Sequence, residues 1–402
     1  MAELEQNHCP SGIPILAWTR SPVAPVGGAL SQLHCHELGA PLLQTLLAQT
    51  SLPPQAIDAV VLGNALGAGG NPARMLALAA GLPDSCAAHS IDTQCCSGLD
   101  AVAMAVGLLQ SGQAQIVIAG GAEAWSRSPL RQTRPRNANE QPQSYERPPF
   151  APDPARDPDM LQSAADYACS HGLSRQTQES YALLSHHRAL AAQQSLSTEI
   201  TALAGLNHDA YPRTLTASRA ARMPVVAHSE TDDQGALYGL SAPTISAKAD
   251  GAALLLLATP EACARWQLRP RAQWLASASV GAAPETPLLA AIAATQKLLQ
   301  RGDQVLQQSE LSAQDLPAIE LHDAFAVQGL AFCAALGLQP EQINAQGGGL
   351  ARGHPIGASG AIALVRCLAQ LQSAHQPGAL GMAAIAGAGG IGAGTLVQWL
   401  EP

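Results

Sequence analysis

Two segments of the chain, Ser97–Gln110 (SGLDAVAMAVGLLQ) and 359–371 (SGAIALVRCLAQL), are apolar on almost every side of a helix, and each opens with Ser-Gly. A helix without a polar face has to be covered on every face. Each is followed by a short apolar strand, 116–119 and 382–386, which ends in Gly120-Gly121 in the first case and in a glycine-rich turn in the second. An earlier pair matches as well: 56–62 and 318–321 read as strands ending at Gly63-Asn64 and His322-Asp323. The repetition predicts two related halves, each holding one central helix between sheets, and therefore an α/β sandwich of five layers, α/β/α/β/α.

At 402 residues and 47% hydrophobic content, the chain suffices for one large core or two closely joined ones. Abundant alanine and glycine with only 3% aromatics suit backbones packed closely in layers. Residues 131–159 break the pattern: they are polar, rich in Pro, Asn, Gln and Arg, and too long for an ordinary connection. They read as the start of an inserted loop domain with an amphipathic helix near 177–193. The expected organisation is an N-terminal half over 1–125, completed by 241–268, an inserted region over 126–240, and a C-terminal half over 269–402.

Several function classes are disfavoured. Only 13% of residues are charged and the net charge is -9, so no basic field exists to neutralise nucleic-acid phosphates. The apolar stretches are interrupted well short of a membrane span, and residues Met1 to Asn7 carry two glutamates and no basic cluster, so a cytoplasmic location without membrane attachment is expected. Nine cysteines without a Cys-x-x-Cys unit argue against a disulfide framework and a structural zinc, and most read as reduced, buried residues. His34-Cys35-His36-Glu37 and His186-His187 have no further ligands nearby and read as solvated or capping, so no metal is expected. Gly387-x-Gly389-x-x-Gly392 has dinucleotide-fingerprint spacing after a strand, but no room follows it for a helix and a second strand.

The candidates for chemistry sit at the starts of the two apolar helices. Cys95 lies where a strand-like segment, 88–93, turns into the first; the free N–H groups there are expected to lower its pKa and favour the thiolate. Its neighbour Cys96 must face away and reads as a packed thiol. His354, in Gly353-His354-Pro355-Ile356-Gly357, has the corresponding place before the second helix, between a residue that allows close approach and one that fixes φ. His322-Asp323-Ala324-Phe325 follows a strand end, where side chains project into a cleft.

Taken together, Cys95-Cys96-Ser97-Gly98, His322-Asp323-Ala324-Phe325 and Gly353-His354-Pro355-Ile356-Gly357-Ala358-Ser359-Gly360-Ala361 resemble three of the four catalytic loops of thiolases, in the same order. Arg20-Ser21-Pro22, Gly63-Asn64 with Asn71-Pro72-Ala73-Arg74, Gly120-Gly121-Ala122-Glu123 with Ser126, and Ser246 with Asp250-Gly251-Ala252-Ala253 extend the likeness over nearly the whole chain. The resemblance implies the thiolase fold and an acyl thioester formed on Cys95 from acyl-CoA, with His354 activating the thiol. It also implies backbone donors at Cys95 and Ala388 in an oxyanion site, with His322 as a second donor in place of the usual Asn. Ser246, Met160 and Phe325 would contact substrate, although the family's His-Met-Gly segment reads Asp159-Met160-Leu161 here. Coenzyme A would enter as substrate and no permanent cofactor is expected. A homodimer, a homotetramer or a mixed complex with other subunits is implied as the assembly.

The fourth loop departs from the family pattern. It reads Ala386-Gly387-Ala388-Gly389-Gly390, so Ala386 replaces the cysteine that removes the α-proton of the second substrate, and Ala324 stands where a sterol-carrier-type enzyme has its alternative cysteine. Without a positioned base roughly 10²–10⁴-fold in rate is forfeited. The expected function is therefore acyl transfer from Cys95 to a carbon nucleophile in a biosynthetic pathway, the carbanion arising by decarboxylation or belonging to an already nucleophilic acceptor. The alternatives are a degradative or reversible 3-oxoacyl-CoA thiolase using Cys96 or water as base, and a non-catalytic partner subunit. Acyl chain length and the carrier of the donor stay open.

Overall fold

A computed structural model describes residues 12–67, 69–233, 237–307 and 310–400. The expectations placed on Met1 to Asn7, and Cys9, lie outside the described residues. In chain order the main elements are β1 (Ile13–Arg20), α1 (Cys35–Thr50), β2 (Ala59–Gly63), α2 (Pro72–Ala79), β3 (Ala87–Ile91), α3 (Ser97–Gln110) and β4 (Ile116–Ala124). Next come α4 (Met160–Ser170), α5 (Arg175–Ala191) and β5 (Ala249–Ala258). The second half supplies β6 (Ala272–Gly281), α6 (Ala290–Leu306), β7 (Ala318–His322), α7 (Ala326–Leu336), α8 (Ser359–Ala374), β8 (Leu380–Gly387) and β9 (Ile391–Trp399).

The strands lie in the order β3-β2-β4-β5-β1-β6-β9-β8-β7. Pairing is parallel for β2 with β3 and β4 and for β7 with β8, and antiparallel elsewhere. The two halves meet along a short seam, where Ile13, Pro14 and Ile15 pair with Trp274, Gln273 and Ala272. Their kinship shows in an irregularity: the register shifts between Ile15 and Ala17 in β1 and between Trp274 and Ala276 in β6, the first strand of each half.

Five layers result. Helices α1 and α2 cover one outer face, α6 and α7 the other, and α3 packs against α8 between the sheets. Strand β5 shows why its sequence, ADGAALLLLA, is a continuous apolar run after Asp250. Successive side chains point to opposite faces, so Leu254 and Leu256 join α1 in the outer core while Leu255 and Leu257 join α3 and α8 in the central one. Burying each leucine contributes about 1.5–3 kcal/mol, and only a strand covered on both sides uses them all.

Most element positions follow the sequence reading, with three corrections. Gly120-Gly121 is no turn: β4 runs through it to Ala124. The glycines serve close approach instead, because a Cβ on Gly120 would lie 2.1 Å from the Ala253 carbonyl oxygen and one on Gly121 would lie 2.1 Å from that of Gly357. Helix α3 is not covered on every face, since Met104 is 53% exposed. His186 is neither solvated nor capping but buried on α5, where its Nδ1 accepts from the Arg213 N–H at 3.4 Å, whereas His187 is exposed. His34 does cap, its N–H donating to Glu37 Oε2 at 2.8 Å at the start of α1.

The eight cysteines among the described residues are all free, and seven are buried. Glycine-rich 387–390 connects β8 to the antiparallel β9 rather than to a helix, as the rejected dinucleotide motif requires. The segment between β4 and β5 is tied to the layers by buried charge: Arg20 of β1 donates to Glu199 at 2.5 Å and Asp209 at 2.6 Å, and Arg366 of α8 donates to Glu199 at 2.6 Å. Among the described residues no helix is long and apolar enough to cross a membrane.

Close approach at Gly121 yields a prediction. Gly121→Ala should cost about 1–3 kcal/mol of stability by overpacking, whereas Gly281→Ala, with nothing within 4 Å of its Cβ, should be neutral or gain up to about 1 kcal/mol. Urea unfolding midpoints check this; equal midpoints for the two variants would contradict it.

Candidate active site

The nucleophile's position begins with a local turn. Ser97 Oγ accepts from the Thr93 N–H at 2.9 Å and donates to the Gln94 carbonyl at 2.6 Å. Gln94 takes a left-handed conformation with φ 53°, costly for a residue with a Cβ. The chain thereby reverses between β3 and α3 and presents the Cys95 thiol to the second half.

His354 is set from the other side. Gly353, at φ 109°, lets the chain pass Ala249, where a Cβ would come within 2.9 Å. The His354 N–H donates to the Ala247 carbonyl at 2.7 Å, and its own carbonyl accepts from Trp125 Nε1 at 3.0 Å. So fixed, His354 Nε2 lies 3.1 Å from Cys95 Sγ.

Ser359 determines which ring nitrogen carries the proton. Its hydroxyl donates to the Pro355 carbonyl at 2.9 Å, so at 2.8 Å from His354 Nδ1 the same oxygen acts as acceptor. Nδ1 therefore bears hydrogen and Nε2 offers its lone pair to the thiol, the tautomer a general base requires.

The electrostatics correct one expectation. Cys95 is not acidified by the helix start: burial pushes its thiol up to about 12, with the charges of Glu123 and Asp92 adding to the rise, although the N–H groups of Ala388 and of Cys95 itself favour the anion. Burial lowers His354 to about 4. At rest the pair is thus neutral thiol and neutral imidazole. Desolvation outweighs the dipole because ionising either group alone leaves an uncompensated charge in a dry site.

The other candidate residues are distributed unevenly around this pair. Cys95, His354, Ala386 and Ala388 line a cleft of about 300 Å³, together with Ser246, Met160 and Phe325. Ser246 Oγ donates to the Gly349 carbonyl at 2.7 Å, which leaves its lone pairs toward the cleft. His322 is different: it is buried behind His354, the ring centroids 4.3 Å apart at 28°, it is absent from the cleft wall, and its Nε2 has no hydrogen-bond partner among the described residues. Burial, His354 and Arg352 hold it well below the usual histidine range, so it is a neutral donor at most. Cys96 points away, its Sγ facing the carbonyls of Ile385 and Ile391 at 3.8 and 3.7 Å.

Several contributors escaped the sequence reading. Trp125 and Ile356 line the cleft beside Phe150 and Leu288, and Lys248 lies 4.7 Å over the Trp125 ring while pairing with Glu146. Arg131 and Arg147 also reach the wall, and Arg147 is paired with Asp157 at 2.5 Å. Ser359 was visible as a helix opener and as part of the thiolase-like loop 353–361, but without a role; the seryl residue five after a candidate base was the available signal. Among the described residues no group of three or more His, Cys, Asp or Glu side chains could hold a metal ion.

Fold and site together define an acyl-transfer architecture in which a candidate nucleophile from one half meets a candidate base from the other. Models of the thiolase N-terminal domain and the thiolase C-terminal domain match residues 13–261 and 268–399. The chain is 36% identical to the putative acetyl-CoA C-acetyltransferase YhfS of Bacillus subtilis, over 93% of this chain and 95% of that protein. It is 32% identical to a probable acetyl-CoA acyltransferase of Staphylococcus aureus, over 89% and 92% respectively. Among solved structures it resembles the Bacillus anthracis acetyl-CoA acetyltransferase (TM-score 0.85, 28% identity, 97% and 99% coverage). An Ascaris suum thiolase in complex with coenzyme A is similarly close (TM-score 0.85, 28% identity, 97% and 100% coverage). The chain belongs to the thiolase family. It is an acyltransferase of the thiolase type that acts on acyl-CoA.

If Ser359 holds this tautomer, Ser359→Ala should slow acylation of Cys95 by about 2- to 10-fold, the worth of one neutral hydrogen bond, and Ser359→Thr should restore most of the rate. Single-turnover kinetics with acetyl-CoA would show it; a wild-type rate for the alanine variant would remove Ser359 from the site.

Proposed function

We propose that this enzyme forms an acyl thioester on Cys95 and transfers the acyl group to a carbon nucleophile that arrives without needing a cysteine base, in a biosynthetic direction. The observation that carries this reading is the 3.1 Å contact between Cys95 Sγ and His354 Nε2 in a cleft where Ala386 and Ala324 stand on the wall. In the first step the thiol proton passes to Nε2 as sulfur bonds to the thioester carbon. The carbonyl electrons move onto oxygen, near the Cys95 and Ala388 N–H groups. Collapse re-forms the carbonyl and releases coenzyme A thiolate, which takes the proton back from His354.

For the second step a base at the acceptor carbon has little support. Cys96 faces the opposite way, and among the described residues the two carboxylates on the wall are engaged: Glu146 pairs with Lys248, and Asp159 accepts from the Leu161 and Gln162 N–H groups at 2.8 and 3.3 Å. An acceptor that loses carbon dioxide, or one with an electron-rich carbon, fits such a site. His322, backed against His354, would assist only if it turned its free Nε2 toward the enolate oxygen.

Intact-mass measurement after incubation with acetyl-CoA should find an acetyl adduct that Cys95→Ala abolishes; no adduct on the wild type would end the acyl-enzyme reading. Cleavage of 3-oxoacyl-CoA by free coenzyme A at ordinary enzymatic rates would instead favour the degradative direction.

A second copy of the chain is the proposed partner. Strand β3 is a sheet edge with Ala87, His89 and Ser90 exposed, and beside it Met75, Leu78 and Met104 are 43%, 45% and 53% exposed. An open edge flanked by apolar side chains suits strand pairing across a twofold axis. Sedimentation should give a dimer that the Leu78→Glu, Met104→Glu double variant converts to monomer; a monomeric wild type at micromolar concentration would refute it.

A further inference from the structure

Glu123, near the end of β4, is 1% exposed and takes part in no ion pair among the described residues. Its carboxylate is instead surrounded by N–H donors from two loops. Oε2 accepts from the Ala65 N–H and from the Gly357 N–H, both at 2.9 Å, while Oε1 accepts from Asn64 Nδ2 at 2.7 Å and the Leu66 N–H at 3.4 Å. One oxygen thus joins the loop after β2, whose Leu66 lines the cleft, to the loop that carries His354 and Ile356.

The arrangement has no slack. A Cβ on Gly357 would fall 2.9 Å from Glu123 Oε2 and 2.7 Å from Asn64 Cα, so the histidine loop is pressed directly onto the carboxylate. Two residues further along, Trp125 holds the other end of the same loop through the His354 carbonyl. The end of one strand in the first half therefore grips the base-bearing loop of the second half at both 354 and 357.

A buried carboxylate with four donors and no cation would be an expensive way to hold a loop if it served packing alone. The acids and thiols around it are Asp92, Cys35 and Cys95, all able only to oppose its charge. We propose that Glu123 is a positioning residue for acyl transfer, which as an anion binds the Gly357 amide and thereby fixes His354 Nε2 at its bonding distance from the Cys95 sulfur. It touches neither substrate nor thiol. Its charge also opposes loss of the thiol proton before the acyl donor arrives, in keeping with the neutral resting pair. Burial raises its carboxyl to about 7 against the pull of the Ala65, Gly357 and Leu66 N–H groups, so the anion is the prevailing form only above that pH.

The inference rests on the Cys95–His354 reading, and two variants separate its parts. Glu123→Asp keeps the charge but withdraws the oxygens by one methylene. It should lower the rate of Cys95 acetylation by acetyl-CoA by about 10- to 100-fold, the effect of displacing a catalytic group by about an ångström, with KM unchanged. Glu123→Gln keeps the length and removes the charge. Above pH 8 it should raise the rate of Cys95 alkylation by iodoacetamide, read from the 95-containing peptide, by about three- to tenfold. Gly357→Ala, which pushes the loop off an intact Glu123, should reproduce the slow acetylation without the faster alkylation. Acetylation at wild-type rate in both Glu123→Asp and Gly357→Ala would overturn the positioning role, as would an unchanged alkylation profile for Glu123→Gln overturn the anion. Alkylation needs no acyl donor, so a wild type that fails to acetylate would sink the acyl-enzyme reading while leaving the alkylation comparison to decide on Glu123.

Discussion

Everything in this molecule follows from two apolar helices that have to share one interior. Neither α3 nor α8 has a broad polar face to give to water, so each packs against a sheet and against the other, α3 leaving only a narrow strip at Met104 open. Packed together, they bring their N-terminal ends to one place, and the residues just ahead of those ends meet across the boundary between the halves. That is how a sulfur at position 95 and an imidazole at position 354, 259 residues apart, come to 3.1 Å. The site is a consequence of burying hydrocarbon, and the close passages at Gly63, Gly98, Gly121 and Gly357, where any Cβ would lie under 3.0 Å from a neighbouring atom, are what let the backbones come that near.

The same burial shapes the chemistry. A helix start exposed to water would stabilise a thiolate, but a thiol in a dry site is held neutral, and so is the histidine beside it. Charge is then created only when proton transfer and attack on the thioester proceed together. Ser359 favours the proposed transfer by holding the proton on the far nitrogen. The proposed acylation draws on this pair and on the N–H groups of Cys95 and Ala388. Ala386 and Ala324 on the cleft wall are what support the proposal of an acceptor that needs no cysteine base.

Much of this was legible beforehand. The pseudo-repeat, the helix at Ser97–Gln110, the strands, and the cysteine–histidine pairing follow from patterns that extend over a few residues or recur between halves. The misreadings share a cause: Gly120-Gly121 has the composition of a turn, and only the nearness of Ala253 and Gly357 makes it a strand. His186 has the composition of a surface residue, and only the packing of α5 buries it. Met104 looks like core, yet it lies at an open edge of the chain.

Sequence alone determined the elements and their duplication and singled out Cys95 and His354 as candidate reacting groups, because periodicity and side-chain chemistry are local properties of a chain. Tertiary structure decided the protonation of Cys95 and His354, the tautomer set by Ser359, the retreat of His322 behind the base, and the grip of Glu123 on Gly357. Each of these depends on solvent exclusion or on a hydrogen bond between distant segments. Such energies exist only once the two halves have closed on one another.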